Sequence, residues 1–422
     1  MNKTAKNFTL SEWLTWMETC HSSEIELGLE RVSTVADLLS LDLSSSKVIT
    51  VAGTNGKGST VSYLDTIYRQ AGYSVGCFTS PHFTHYNERV KINGVNSADE
   101  LLCAAFARID QARGQIPLTY FEFGTLAALV IFSDLKPDVV LLEVGLGGRL
   151  DAVNIIDADL SVVTTVALDH MDWLGDNRDV IGREKAGVFR ADKPAICGDL
   201  NPPESIAAVA HELNATLFQA GDAFSYLQTG DTWSWCGTSL NGDKVRIDNI
   251  PLPQLPLQNA ATALQVIQCA GLDVADTFIR SGIAAATLTG RMQLIEKEGT
   301  RYWLDVAHNP EAAALLSQKI TAMEGDVTLV LGMLADKDCG QVIELLAPTV
   351  DHVYFVDLNI PRGQKASVLA SYLPQGRSMK QCASVSDALN TFKNDHNRSG
   401  NVIIAGSFFT VSDALAAFGK EE

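Results

Sequence analysis

The 422-residue chain has no apolar run long enough to cross a bilayer. Its longest wholly apolar stretches, such as Leu126–Phe132, fall far short of the roughly 20 residues a spanning helix needs. The opening residues, MNKTAKNFTLSEW, carry no signal-peptide core. There is no C-x-x-C: eight cysteines lie scattered, none closer than Cys77 and Cys103. That speaks against a disulfide framework or a structural zinc site and fits a reducing cytoplasm. Positive charge is scarce, with 32 Lys and Arg against 50 Asp and Glu and a net charge of −18. A nucleic-acid partner is therefore not expected, and anionic ligands must be held by local lysines and arginines. No G-x-G-x-x-G, solenoid-period repeat or low-complexity tract occurs either.

What is present is 46% hydrophobic and 19% charged residues, in a chain too long for one ordinary core. Two or three domains are expected. Residues 8–40 read as helix, loop, helix, and an α/β rhythm follows. Strands are expected at 48–52, 75–79, 138–144 and 160–166, with helices at 60–71, 98–113 and 124–134. Runs such as VVLLEV and LSVVTTVAL suit a mostly parallel sheet covered on both faces. Residues 214–250 alternate in short segments, as in an antiparallel β-section interrupted by Pro251, Pro253 and Pro256 before a helix at 258–271. Four further buried-strand candidates (YWLDVAH, VTLVLGML, HVYFVDL and NVIIAG) define a second α/β domain from about residue 297. The expected division is 1–288, a linker at 289–296, and 297–422.

The most informative stretch is KVITVAGTNGKGST, residues 47–60. A β-branched run breaks into Asn55, Gly56, Lys57, Gly58, Ser59 and Thr60, and a helical pattern follows. Strand, glycine loop, lysine, hydroxyls and helix form a phosphate cradle: backbone N–H groups and the helix N-terminus meet the phosphates. The lysine reaches the terminal phosphates and a hydroxyl helps hold Mg²⁺. The spacing departs from G-x-x-x-x-G-K-[ST], with Val51 in the first glycine position and Gly58 after the lysine.

A second cluster falls at strand ends, where open parallel sheets bind ligands. Ser80 ends strand 75–79, Glu143 lies before Gly145, Gly147 and Gly148, and Asp169 and His170 follow LSVVTTVAL. A carboxylate in an apolar run is costly to bury unless it meets a cation. Ser80, Glu143 and His170 suit Mg²⁺, with Mn²⁺ as substitute. Each also has a plain structural reading: a turn cap, a Glu143–Arg149 pair, a loop histidine. It is their company with the phosphate loop that favours the metal.

AGTNGKGST, TSPH, LEVGLGGRLDAVN, ALDHMDWLG, IGREKAGVFR, GRMQ and LDVAHNP occur in the order seen in the folylpolyglutamate synthases. Over nearly its whole length the chain resembles that family, whose wider relatives are the Mur ligases. The likeness is strongest to bacterial members that join two activities. It implies an ATP-dependent amide ligase: a P-loop ATPase domain, then a Rossmann-like C-terminal domain. L-glutamate would be added to dihydropteroate, and to tetrahydrofolate or its polyglutamates.

The resemblance also implies residue roles. Residues 55–60 would hold ATP with Asn259, Arg291 and Asp305; Ser80, Glu143 and His170 would hold metal. Lys185 would become a carbamate serving a second metal, although its sequence alone reads as a surface helix lysine. Asn259 otherwise reads as an N-cap of the helix at 260–271, and Asp305 with His308 as a turn-stabilising pair. Lys57, Asp305 and His308 are the catalytic candidates. Glu26, Leu27, Gly28, Leu29, Phe121, Glu122, Leu150, Asp151 and Ala152 would line the pteroate site, Phe121 and Glu122 on resemblance alone. A monomer without nucleic-acid or membrane partners is expected. A Mur-type ligase and, further off, an NTP-driven switch are the competing readings.

Overall fold

The computed structural model describes residues 8–21, 23, 26–374, 376–394 and 400–419. Residues 1–7 of the opening segment lie outside these. The fold is mixed α/β, and its contacts divide the chain into units Met1–Ala286 and Thr287–Glu422.

The first unit opens with helices Leu10–Met17 and Glu30–Leu39. Thr9 starts the former through a capping box with Glu12, which satisfies two otherwise orphaned amides. An eight-stranded sheet follows: β1 (Lys47–Ala52), β2 (Val75–Phe78), β3 (Val90–Ile92), β4 (Val95–Asn96), β5 (Val139–Glu143), β6 (Leu160–Val163), β7 (Pro194–Cys197) and β8 (Thr216–Gln219). Its order is β4-β3-β2-β5-β1-β6-β7-β8, parallel from β2 to β8, with β3 and β4 antiparallel at one edge. β1 and β5 lie at the centre, so their apolar runs are buried on both faces. Trp13, Phe106 and Phe123 pack in the main core.

Two expectations are corrected here. The 214–250 section is not wholly antiparallel, because β8 pairs parallel with β7 and belongs to the main sheet. Only β9 (Ser225–Thr229), β10 (Thr232–Thr238) and β11 (Lys244–Pro251) form the small antiparallel sheet. Pro251 ends β11 rather than interrupting the section; at a strand end its missing N–H costs no ladder bond.

In the second unit, β12 (Gln293–Lys297), β13 (Thr300–Leu304), β14 (Val327–Leu331), β15 (His352–Val356), β16 (Met379–Cys382) and β17 (Asn401–Ala405) form a six-stranded sheet. The order is β12-β13-β17-β14-β15-β16, with only β12 antiparallel. The four strands read from the sequence are β13, β14, β15 and β17. β12 occupies residues assigned above to a linker: two of its five residues are exposed and none is fully buried, so it lacks a continuous apolar run.

Candidate active site

The phosphate loop begins where β1 ends. Gly53 has φ +146°, and a β-carbon there would stand 1.9 Å from Oγ1 of Thr164. Gly56, at φ +89°, precedes helix Lys57–Gln70, which starts three residues earlier than its apolar pattern suggests. The loop is tied to the strand beside it. The Asn55 amide donates to Thr165 Oγ1 at 3.1 Å, and Thr164 Oγ1 donates to the Asn55 carbonyl at 2.6 Å. Lys57 Nζ folds back over the turn, donating to the carbonyls of Gly53 (2.9 Å) and Thr54 (3.2 Å). Gly58 follows in the first helical turn; Ser59 and Thr60 are buried, and Thr60 Oγ1 has no hydrogen-bond partner. A buried hydroxyl without a partner is costly, so a ligand that engages it recovers that cost.

Asn259 lies directly on this loop, within 3 Å of where a Gly56 β-carbon would be. It is buried, and it is the third residue of helix Leu257–Cys269, whose N-cap position is taken by Pro256. The N-cap reading of Asn259 is therefore corrected.

Ser80 and Glu143 meet at the carboxyl ends of β2 and β5. The Ser80 amide donates to Glu143 Oε2 at 3.1 Å, and the carboxylate is buried. Arg149 does not serve Glu143; it forms an ion pair with Glu184 at 2.8 Å. His170 is exposed, at φ +51°, with Nε2 3.9 Å from Asp169 Oδ2. Its segment is anchored to the phosphate loop: Thr54 Oγ1 donates to the Ala167 carbonyl and accepts from the Ala167 amide. Among the described residues no three His, Cys, Asp or Glu side chains form a metal cage. A Mg²⁺ site of the phosphoryl-transfer kind needs none, since one or two carboxylates are completed by water and phosphate oxygens. Glu143 with Ser80 fits that donor set.

Lys185 departs from the surface expectation. It sits in helix Arg178–Ala186 at 4% exposure. The GLGGR turn approaches the backbone of this helix closely: a β-carbon on Gly148 would stand 2.8 Å from the Lys185 carbonyl oxygen.

The residues matched to a pteroate site fall into two groups. Leu150 is half-buried, and Asp151 and Ala152 are buried at the turn after GLGGR. Asp151 accepts from the amides of Leu146 (2.8 Å) and Val153 (3.0 Å). Burial pushes its carboxyl up to about 6, against the pull of those amides and of the Lys57 charge. The other group is the 26–29 segment with Phe121 and Glu122. Glu122 is buried at the start of helix Tyr120–Leu135, where it completes a capping box with Thr119. Phe121 is half-buried and packs against Phe78.

In the second unit, Asp305 follows β13 and accepts from the amides of Met292 (2.9 Å) and Ala307 (2.9 Å). The first of these bonds holds the Gly290–Met292 turn, in which Met292 has φ +45°. Burial raises the Asp305 carboxyl, and Arg291 and the two amides oppose that shift. His308 Nδ1 lies 2.8 Å from the Val306 carbonyl. Phe408, which the sequence did not single out, joins the group. Arg291 stands 5.5 Å over its ring, and the His308 ring lies 6.3 Å away. It sits at the first position of the helix after β17, where a strand-end rule applied to NVIIAGSFF would have found it.

A phosphate loop on a parallel sheet, followed by a second α/β unit, defines a nucleotide-dependent enzyme of Mur ligase type. The family model "Mur ligase, glutamate ligase domain" matches residues 290–408. The chain is 46% identical over 408 residues to the dihydrofolate synthase/folylpolyglutamate synthase of Escherichia coli, covering 96% of this chain and 94% of that one. Against the Bacillus subtilis protein of the same name the identity is 29%, over 92% and 94%. The solved structure "E.coli FolC in complex with DHPP and ADP" superposes with a TM-score of 0.93 at 45% identity, covering 99% of each chain. A bifunctional folylpolyglutamate synthase/dihydrofolate synthase with Mn, AMPPNP and L-glutamate bound gives 0.91 at 45%, over 98% and 99%. The chain belongs to the dihydrofolate synthase/folylpolyglutamate synthase family.

Proposed function

We propose that this chain is an ATP-dependent ligase that adds L-glutamate to dihydropteroate, giving dihydrofolate, and to tetrahydrofolate or its polyglutamates. The observation that carries the reading is the phosphate loop with Lys57 over its turn and Asn259 against Gly56. It occurs in a chain similar throughout to relatives named for both activities.

A carboxylate is a poor electrophile, because its charge repels nucleophiles and oxide does not leave. In the proposed reaction the pteroate or folyl carboxylate attacks the γ-phosphorus of ATP, the bond to the bridging oxygen breaks, and ADP departs. The glutamate amine, having lost a proton, then attacks the acyl carbon; the tetrahedral intermediate expels inorganic phosphate and leaves the amide.

Residues 55–60 hold the phosphates and Lys57 neutralises the charge that develops on them. Asn259, Arg291 and Asp305 contact the nucleotide, and His308 organises the glutamate. Ser80, Glu143, His170 and Lys185 as its carbamate would hold two divalent cations, Mg²⁺ or Mn²⁺ in its place. When bound, these supply charge neutralisation on the phosphates. Glu26–Leu29, Phe121, Glu122 and Leu150–Ala152 line the pteroate site. The functional division is 1–288 and 297–422, connected through 289–296, the second half of which contributes to β12 of the second unit. We further propose a cytoplasmic monomer without membrane or nucleic-acid partners; its eight free thiols fit a reducing compartment, and its net charge of −18 disfavours nucleic acid.

The test is product analysis. Dihydropteroate incubated with ATP, Mg²⁺ and L-glutamate should gain the mass of one glutamyl residue. Unchanged dihydropteroate in the presence of folded protein overturns the assignment.

A further inference from the structure

Two carboxylates of the proposed pteroate site converge on one side chain that the reaction does not use. Arg31, in the first turn of helix Glu30–Leu39, reaches across 91 positions of sequence to Glu122. Its Nε donates to Glu122 Oε2 at 3.1 Å, and its Nη2 stands 3.0 Å from Glu122 Oε1. The far side of the same guanidinium is wrapped by the 26–29 segment. Nη1 donates to the Glu26 carboxylate and Nη2 to the Glu26 carbonyl. Gly28, at φ +147°, brings its Cα face to the same group: a β-carbon there would lie 4.0 Å from Nη1. Outside this ring, His21 Nε2 stands 3.1 Å from the other Glu26 oxygen.

The burial is graded. Glu122 is 4% exposed at its side chain, Arg31 17% and Glu26 47%. Both Glu122 oxygens face Arg31, and Oε2 also accepts from the Thr119 amide at 2.8 Å. Glu122 is thus committed to the protein. A carboxylate this buried is tolerated because the guanidinium and the amide replace water. On the other side, the 26–29 loop has no regular secondary structure of its own, so Arg31 supplies its fixed point.

We propose that Arg31 is a positioning residue of the pteroate site: its guanidinium fastens the Glu26–Leu29 loop to the N-terminus of helix Tyr120–Leu135, setting the distance between Leu27–Leu29 and Phe121. The inference rests on the reading that these two segments line the pteroate site. It also reassigns Glu122, from a group that touches the substrate to the anchor of this clamp. Lysine cannot replace the arginine. Four acceptor oxygens lie around one planar fork, and an ammonium on a flexible stem satisfies at most part of that geometry.

The test compares Arg31→Lys, Arg31→Ala and Phe121→Ala in the full-length chain, reading KM for dihydropteroate, ADP affinity and Tm. Arg31→Lys is expected to raise KM for dihydropteroate about tenfold or more, as loss of positioning does. ADP affinity should stay within about twofold. Added guanidinium should restore part of the KM in Arg31→Ala and do nothing for Phe121→Ala. If Arg31→Lys fails to fold, Glu26→Ala removes an acceptor at an exposed position and should raise the same KM. A normal KM in Arg31→Lys, with a raised KM in Phe121→Ala, overturns the clamp and leaves the pteroate site standing. Normal values in both variants overturn the pteroate-site reading, and the clamp with it. Equal losses of dihydropteroate and ADP affinity, without guanidinium rescue, reduce Arg31 to a general stability role and also overturn the proposal.

Discussion

Gly56 and Asn259 leave no room between them: a β-carbon on the glycine would stand 2.5 Å from the asparagine Oδ1. Asn259 has nowhere to retreat, because the helix that carries it is buried from Asn259 to Ile267. Gly56→Ala therefore meets two obstacles, this contact and a φ of +89°. The backbone strain alone costs about 1–3 kcal/mol. The variant should melt at a lower temperature and bind ADP at least about tenfold more weakly, since the loop amides must turn away from the phosphates. Calorimetry with ADP and a thermal melt check this; wild-type affinity would contradict the phosphate-loop geometry.

Lys185 carries a second prediction. If it serves as a carbamate, Lys185→Ala should lose activity by about 10–100-fold, the usual loss when a metal site is disturbed. Acetate or formate should restore a part of it by filling the vacated carboxylate position. Turnover measured in CO₂-free buffer decides the matter, because full activity of the alanine variant there removes the carbamate.

Asp151 gives a pH prediction. Its carboxyl rises from 3.8 to about 6 on folding. The folded state therefore holds its proton where the unfolded state has lost it. The stability this group contributes is complete below 3.8 and is lost as the pH rises through about 6. Over that window the loss amounts to about 3 kcal/mol at most. Urea titrations at several pH values should show stability falling across this interval, with a flatter profile in Asp151→Asn. Identical slopes would show that Asp151 does not titrate there.

Much of this was legible in the sequence because it is local. The β-branched run before Gly53, the helix after Lys57 and the four apolar strands of the second unit are short-range patterns. What escaped depends on distant partners. Lys185 looks exposed by helical position, and only the folded chain shows it buried. The Arg31–Glu122 pair joins helices 91 positions apart. Phe408 meets Arg291 and His308 only because β17 lies beside β13. The strands β7 and β16 were missed because neither presents an apolar run: β7 starts on a proline, and β16 is an edge strand in which only Cys382 is buried.

The central claim is that the chain spends ATP to join glutamate to a pteroate carboxylate. The most direct measurement is ADP release from the pure enzyme with ATP, Mg²⁺ and dihydropteroate, with and without L-glutamate, alongside Lys57→Ala. Sustained ADP release that requires both dihydropteroate and L-glutamate, and that vanishes in folded Lys57→Ala, is the expected result. ADP release indifferent to both substrates, or surviving in Lys57→Ala, would contradict it.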